Sequence, residues 1–241
     1  MAVRAYKHPD SELRALLKIF KQQFDDLKTL NSYEIVLRRL LFIGTTPRNQ
    51  SWRAEGLHQL ALLYQATGKL REAEKHYELS MATFADHEPL GLARVMRDYG
   101  LFIARHHDPR AGLLQIEQAL ALHDKDLNNA KGYRQRRITE SYVWRARLLL
   151  DREDTPALNS LVEFALTDCH DCCLRDQQQA IEFVAPYATD SQRALLNTRL
   201  IEVNARRRKV VGAIVSMAKL AIDAQLTIAG KIFRTLIDRK S

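Results

Sequence analysis

The 241-residue chain has few of the residues that cross-link or sharply restrict a backbone: three cysteines, nine glycines and six prolines. A small, odd number of cysteines argues against a disulfide-stapled secreted fold and favours a reducing compartment. The first ten residues contain no apolar stretch of the kind found in secretory signals. Together these absences predict a cytoplasmic protein.

Long runs of alternating β-branched residues, which would indicate β-strands, are also missing from the chain. Leu, Ala, Arg and Gln are abundant instead, and all four have high helix propensity. The composition therefore predicts an all-α protein that is long enough to bury a substantial core.

Sequence signatures of catalysis are scarce. The chain has no H-E-x-x-H, no glycine-rich phosphate loop and no G-x-S-x-G. Glu55 and His58 form one Glu-x-x-His unit, which resembles half of a helical di-iron ligand set, but no second unit exists. We therefore expect a protein without catalytic residues and without a cofactor.

One cysteine-rich segment is a candidate metal site. Cys169 and Cys172 form a C-x2-C unit with His170 inside it and Cys173 beside it. A structural zinc needs four ligands, usually from two such units, and the chain has no second cysteine pair. Ordinary thiols in a turn between helices are the favoured interpretation, with a metal site as the alternative.

Residues 54–84 contain a recognisable pattern. Leu57, Leu60, Ala61 and Tyr64 match the offsets of W-x2-L-G-x2-Y, Gly68 marks a turn, and Ala73 with Tyr77 supplies A-x3-F. The stretch thus resembles a tetratricopeptide repeat, a helix–turn–helix unit that stacks on copies of itself. The resemblance implies a helical-hairpin solenoid that binds a protein or peptide partner.

Two further repeats are predicted downstream. The 19-residue interval between the small residues Ala61 and Ser80 recurs between Gly100 and Ala119 and between Ala146 and Ala165. A generic helical-hairpin protein with chance matches is the alternative. We expect an N-terminal helical pair over residues 1–47, tetratricopeptide-like repeats over 48–203 and a basic amphipathic helix over 204–241.

The resemblance also implies which side chains face the concave groove. Arginines there would pair with carboxylates, so the groove would favour an acidic peptide or a chain-terminal carboxylate. The alternative is a solvated basic face. The candidate groove residues are Glu55, His58, Arg94, Arg97, Arg105 and Arg147.

The C-terminal stretch carries most of the chain's net charge of +8, with nine Lys or Arg against two Asp over residues 204–241. Its apolar residues form a wide helical face, which favours a capping helix or self-association. Attachment to an anionic membrane surface, a membrane span and nucleic-acid binding are alternatives. The candidate attachment residues are Arg206, Arg207, Arg208 and Lys209.

The sequence therefore favours a non-enzymatic adaptor or regulatory protein that binds a partner in a basic groove. A protein attached to nucleic acid or to a membrane surface through its tail is the alternative.

Overall fold

The structure, a computed structural model of the chain, describes residue 41, residues 50–85, 88–125, 130–167 and 174–206, and residue 208. The predicted N-terminal helical pair (apart from Leu41), the cysteine-rich segment 169–173 and the tail beyond residue 208 lie outside these residues. No strand occurs in the described part of the chain, which confirms the expected all-α class.

Eight helices follow one another along the described residues. They are α1 (Gln50–Ala66), α2 (Leu70–Phe84), α3 (Pro89–His106), α4 (Pro109–Asp124), α5 (Ala130–Leu150), α6 (Thr155–Leu166), α7 (Leu174–Val184) and α8 (190–206). None of these helices is both long enough and apolar enough to cross a membrane.

Local chemistry explains several helix ends. Gly68 adopts a positive φ of 75° in the turn between α1 and α2, a conformation that glycine adopts without strain. The Asp108 side chain caps α4 by accepting a hydrogen bond from the backbone N–H of Arg110 at 2.9 Å. Asp154 caps α6 by accepting a hydrogen bond from the backbone N–H of Ala157 at 2.9 Å.

Each helix from α1 to α6 packs against the next one, and α1, α3, α5 and α7 also contact one another in succession. The most extensive contacts lie within the pairs α1–α2 and α3–α4. Odd-numbered helices therefore lie side by side.

Three apolar clusters hold the helices together. The first joins α1, α2 and α3 and contains stacked aromatic rings, with the ring centroids of Tyr77 and Tyr99 5.2 Å apart. The second joins α3, α4 and α5 around Ile116 and Ile138. The third joins α5 to α8 around Leu161 and Ile181, and α8 contributes Leu196 and Val203 to it.

The helices of the α3–α4 pair approach most closely at two glycines. A Cβ added to Gly112 would lie 2.4 Å from the carbonyl oxygen of Gly100 and 2.5 Å from the backbone nitrogen of Ala104. A Cβ added to Gly100 would lie 2.6 Å from a side-chain carbon of Ile116. The nearest neighbours of Gly100 thus lie earlier in α4 than Ala119, the residue expected from the 19-residue interval.

We predict that Gly112→Ala destabilises the protein although alanine favours helices. Overpacking costs about 1–3 kcal/mol, and here the obstructing atoms are backbone, whereas the gain in helix propensity is about 1 kcal/mol. Urea unfolding should show a net loss of up to about 2 kcal/mol. The exposed Gln118→Ala on the same helix should change stability by less than about 0.5 kcal/mol. A stabilised Gly112→Ala variant would contradict the close approach.

Candidate partner-binding groove

Two adjoining cavities run across the odd-numbered helices. The larger has a volume of about 500 Å³ and the smaller about 200 Å³. Four residues line both cavities: Leu62 of α1, Asp98 of α3, Tyr142 of α5 and Gln179 of α7. Tyr77 of α2 is the one lining residue from an even-numbered helix. We call the two cavities together the groove.

Helical spacing explains why α3 dominates the groove. Arg94, Arg97, Asp98, Leu101 and Arg105 follow one another at intervals of one, three or four residues, so they lie along one face of the helix. All five line one cavity or the other.

A buried ion-pair network lines the smaller cavity. Asp98 accepts hydrogen bonds from Arg97 Nε at its Oδ1 and contacts His58 Nε2 at its Oδ2, both at 2.9 Å. Burial opposes ionisation of Asp98, but the Arg97 charge and the His58 hydrogen bond outweigh it and hold the pKa of Asp98 well below its usual range. The carboxylate therefore joins α1 to α3 through two buried partners.

Arg97 extends the network to α5. Its Nη1 donates to Gln135 Oε1 at 3.2 Å, and its guanidinium lies 4.7 Å from the centroid of the Tyr142 ring. With 7% of its surface exposed, Arg97 is a buried cation whose charge is matched by Asp98. The network consequently contacts three of the four helices that line the groove.

A second ion pair lies beside the first. Arg94 of α3 pairs with Glu55 of α1, and Glu55 also accepts a hydrogen bond from Gln59 Nε2 at 2.9 Å. The structure thus brings together four of the residues predicted for the groove, Glu55, His58, Arg94 and Arg97, but in contacts with one another or with Asp98. Their charges largely cancel.

The larger cavity has a different electrostatic character. Arg145 of α5 is 1% exposed, and its Nη2 donates to the carbonyl oxygen of Asp176 at 3.2 Å. Its buried Nε has no hydrogen-bond partner within the described ranges. Among the residues that the structure describes, no carboxylate oxygen lies within 4.0 Å of Arg145. Desolvation by burial lowers the pKa of Arg145.

Two aromatic rings support the cations of the larger cavity. The Arg145 guanidinium lies 4.6 Å from the Tyr142 ring centroid, on a ring that Arg97 also contacts. Arg105, whose side chain is exposed, lies 5.4 Å from the Phe183 ring centroid. Ring faces attract cations, but they do not neutralise them.

Arg147, the remaining predicted groove residue, lines neither cavity. Its side chain is 44% exposed, and its Nε donates to Asp154 Oδ2 at 2.7 Å, next to the start of α6. It lies two positions after Arg145, which places the two side chains on different faces of α5. Of the candidate tail residues, Arg206 and Arg208 are exposed, whereas Arg207 and Lys209 lie outside the described residues.

Sequence reasoning did not select Asp98, Tyr142 or Arg145 as site residues. A signal existed for Arg145, because it stands where the repeat pattern has a leucine. No group of three or more His, Cys, Asp or Glu side chains that could hold a metal occurs within the described ranges. Comparison of the chain with known protein families, with curated proteins and with solved structures finds no match.

We predict that Asp98→Asn destabilises the protein by about 3–5 kcal/mol at pH 7, because it leaves Arg97 buried without its counter-charge. The surface pair Asp124–Arg136 provides the control, and Asp124→Asn should cost about 0–1 kcal/mol. Urea unfolding measures both. Equal small effects would mean that the buried network contributes little.

The wild type and Asp98→Asn should also differ in how their stability depends on pH. A carboxylate with a depressed folded-state pKa stabilises the fold fully above its unfolded-state pKa, which is about 3.9 for Asp. That contribution is lost as the pH falls below about 4 towards the folded-state pKa. The stability difference between the wild type and Asp98→Asn should therefore be constant from pH 7 to 5 and shrink by pH 3. A difference that is as large at pH 3 as at pH 7 would contradict this assignment.

We predict that Arg145→Met does not destabilise the protein and raises its free energy of unfolding by about 1 kcal/mol or more, because it replaces a buried, unmatched cation with an apolar chain. Arg147→Met on the same helix removes only a surface ion pair and should cost about 0–1 kcal/mol. A loss of about 2 kcal/mol or more for Arg145→Met would show that Arg145 stabilises the fold.

Proposed function

We propose that the chain is a non-enzymatic adaptor or regulatory protein that binds a protein or peptide partner in the groove between α1, α3, α5 and α7. The observation that supports this most strongly is the pair of adjoining cavities along these four helices. Together they form a recess lined by residues of all four helices, which suits a segment of another chain that crosses them.

The packing of the helices supports the tetratricopeptide-like part of the proposal. Stacked helical hairpins place every second helix on one side, and here α1, α3, α5 and α7 contact one another in succession. Ala61, Gly100 and Ala146, the small residues of the three predicted repeats, are all buried. A solenoid of this kind presents an extended concave surface to its partner.

The chemistry of the groove suits a peptide. Gln179 and Gln135 place amide groups along the groove, and amides can both donate to and accept from a peptide main chain. Leu62, Leu101 and Phe183 offer apolar surface for side chains. Glu55 and Asp98 neutralise Arg94 and Arg97. We therefore expect the groove to select a partner by where its polar and apolar groups lie rather than by its overall negative charge.

The tail supports a second candidate, attachment to nucleic acid or to an anionic membrane surface. Its basis is the concentration of positive charge over residues 204–241. Attachment through the tail should fall steeply with salt and should not depend on the groove.

The test measures how well two tryptophan variants retain proteins from a nuclease-treated lysate of the source organism. Gln179→Trp places a large ring where the two cavities meet, so partner retention should fall by about tenfold or more. Gln118→Trp makes the same substitution on the exposed face of α4 and should retain the partner.

Truncation after Ala205 separates the two candidates, since it keeps Val203 in the core and removes the basic tail. A partner kept by the truncated chain and by Gln118→Trp but lost by Gln179→Trp supports the groove. Partners lost on truncation and kept by Gln179→Trp would assign binding to the tail.

A further inference from the structure

The positive charge that the groove leaves unmatched is concentrated in the larger cavity. Arg94 and Arg97 have carboxylate partners, whereas Arg105 and Arg145 have none within 4.0 Å among the described residues. We propose that the larger cavity binds a single carboxylate group of the partner peptide, held by Arg145 and Arg105. This inference rests on the proposed function and names the chemical group recognised at one end of the groove.

The proposal depends mainly on Arg145. A guanidinium has five N–H donors, and a buried one is normally paired or fully hydrogen-bonded. Within the described part of the chain, Nε has no hydrogen-bond partner and Nη2 donates to one backbone carbonyl. A carboxylate can accept two parallel hydrogen bonds from a guanidinium, so it would satisfy donors that the fold leaves open.

The surroundings hold Arg145 in place for such a contact. Tyr142 lies under its guanidinium at 4.6 Å, and the same ring is held on α5 beside Arg97 at 4.7 Å. Binding therefore requires little ordering of the arginine, which favours affinity. Arg105 reaches the same cavity from α3 across the Phe183 ring and adds a second, more exposed cation.

The acidic groups of the larger cavity indicate that the ligand carries one negative charge. Asp98 and Glu182 also line it, and they would repel a polyanion such as a phosphate chain. Asp98 is held by His58 and Arg97, and Glu182 accepts a hydrogen bond from Gln178 at 2.7 Å. Because Asp98 is already paired with Arg97, Arg105 and Arg145 face Glu182 alone, which leaves one net positive charge for a monoanion.

The apolar walls of the larger cavity indicate which kind of group lies next to the carboxylate of the ligand. Leu62, Leu101 and Phe183 line the same cavity as the two arginines. A volume of about 500 Å³ falls within the range of small-molecule sites, so it suits the end of a peptide better than a whole helix. We therefore expect a carboxylate next to an apolar side chain, supplied by a chain terminus or by Asp or Glu.

The experiment uses two pools of N-acetylated random hexapeptides, one with free C-terminal carboxylates and one with C-terminal amides. The immobilised full chain is incubated with each pool at equal concentration, and the retained peptides are quantified by mass spectrometry. The variants are Arg145→Met, Arg105→Gln and Gln179→Trp, with Arg147→Met as the control on the surface of α5.

The expected result is that the wild type and Arg147→Met retain the acid pool about tenfold or more above the amide pool. Arg145→Met and Arg105→Gln should bring this ratio close to one. If the carboxylate comes from a side chain, the retained amide peptides should instead be enriched in Asp or Glu, and the enrichment should disappear in Arg145→Met and Arg105→Gln. Because Arg105 is exposed, its variant keeps the test valid if Arg145→Met folds poorly.

Two outcomes would overturn the inference in different ways. Equal retention of both pools, without acidic enrichment and with loss in Gln179→Trp, would exclude carboxylate recognition and leave the groove as a peptide site. Retention of neither pool, or retention unaffected by Gln179→Trp, would overturn the carboxylate site together with peptide binding in the groove.

Discussion

The buried contact between Arg97, Asp98 and His58 is the interaction on which the arrangement of the odd-numbered helices depends. Both charged groups have little contact with solvent, so each requires the other, and separating them would leave an uncompensated buried charge. His58 brings α1 to the same carboxylate, and Arg97 reaches α5 through Gln135 and Tyr142. One network of side chains therefore sets the relative positions of three helices.

That constraint divides the groove into two unlike halves. In the smaller cavity Arg94 pairs with Glu55 and Arg97 pairs with Asp98, so contacts within the protein fix the side chains of this half. In the larger cavity Arg145 is buried, and no carboxylate oxygen among the described residues lies within 4.0 Å of it. A fold optimised for stability alone would have an apolar residue at this position. The difference between the halves is the physical basis for our proposal that recognition of a charged group occurs at one end.

Composition predicted the all-α class, and the repeat pattern predicted the turn at Gly68, which separates α1 from α2. Arg94, Arg97 and Arg105, which the resemblance assigned to the groove, each line one cavity or the other. The neutralising partners could not be predicted, because the contacts Glu55–Arg94 and His58–Asp98 join residues 39 and 40 positions apart and depend on how two helices pack. Arg147 lies on the surface beside Asp154, two positions after Arg145 and therefore on a different face of α5.

The claim that partners bind between α1, α3, α5 and α7 is tested most directly by methyl NMR of the leucine-labelled chain with and without a retained peptide. Binding in the groove should shift the methyl signals of Leu62 and Leu101, which line the larger cavity. The signals of Leu114 on α4 and Leu195 on α8, both exposed, should stay unchanged. Shifts at Leu114 or Leu195 with none at Leu62 and Leu101 would contradict binding in the groove.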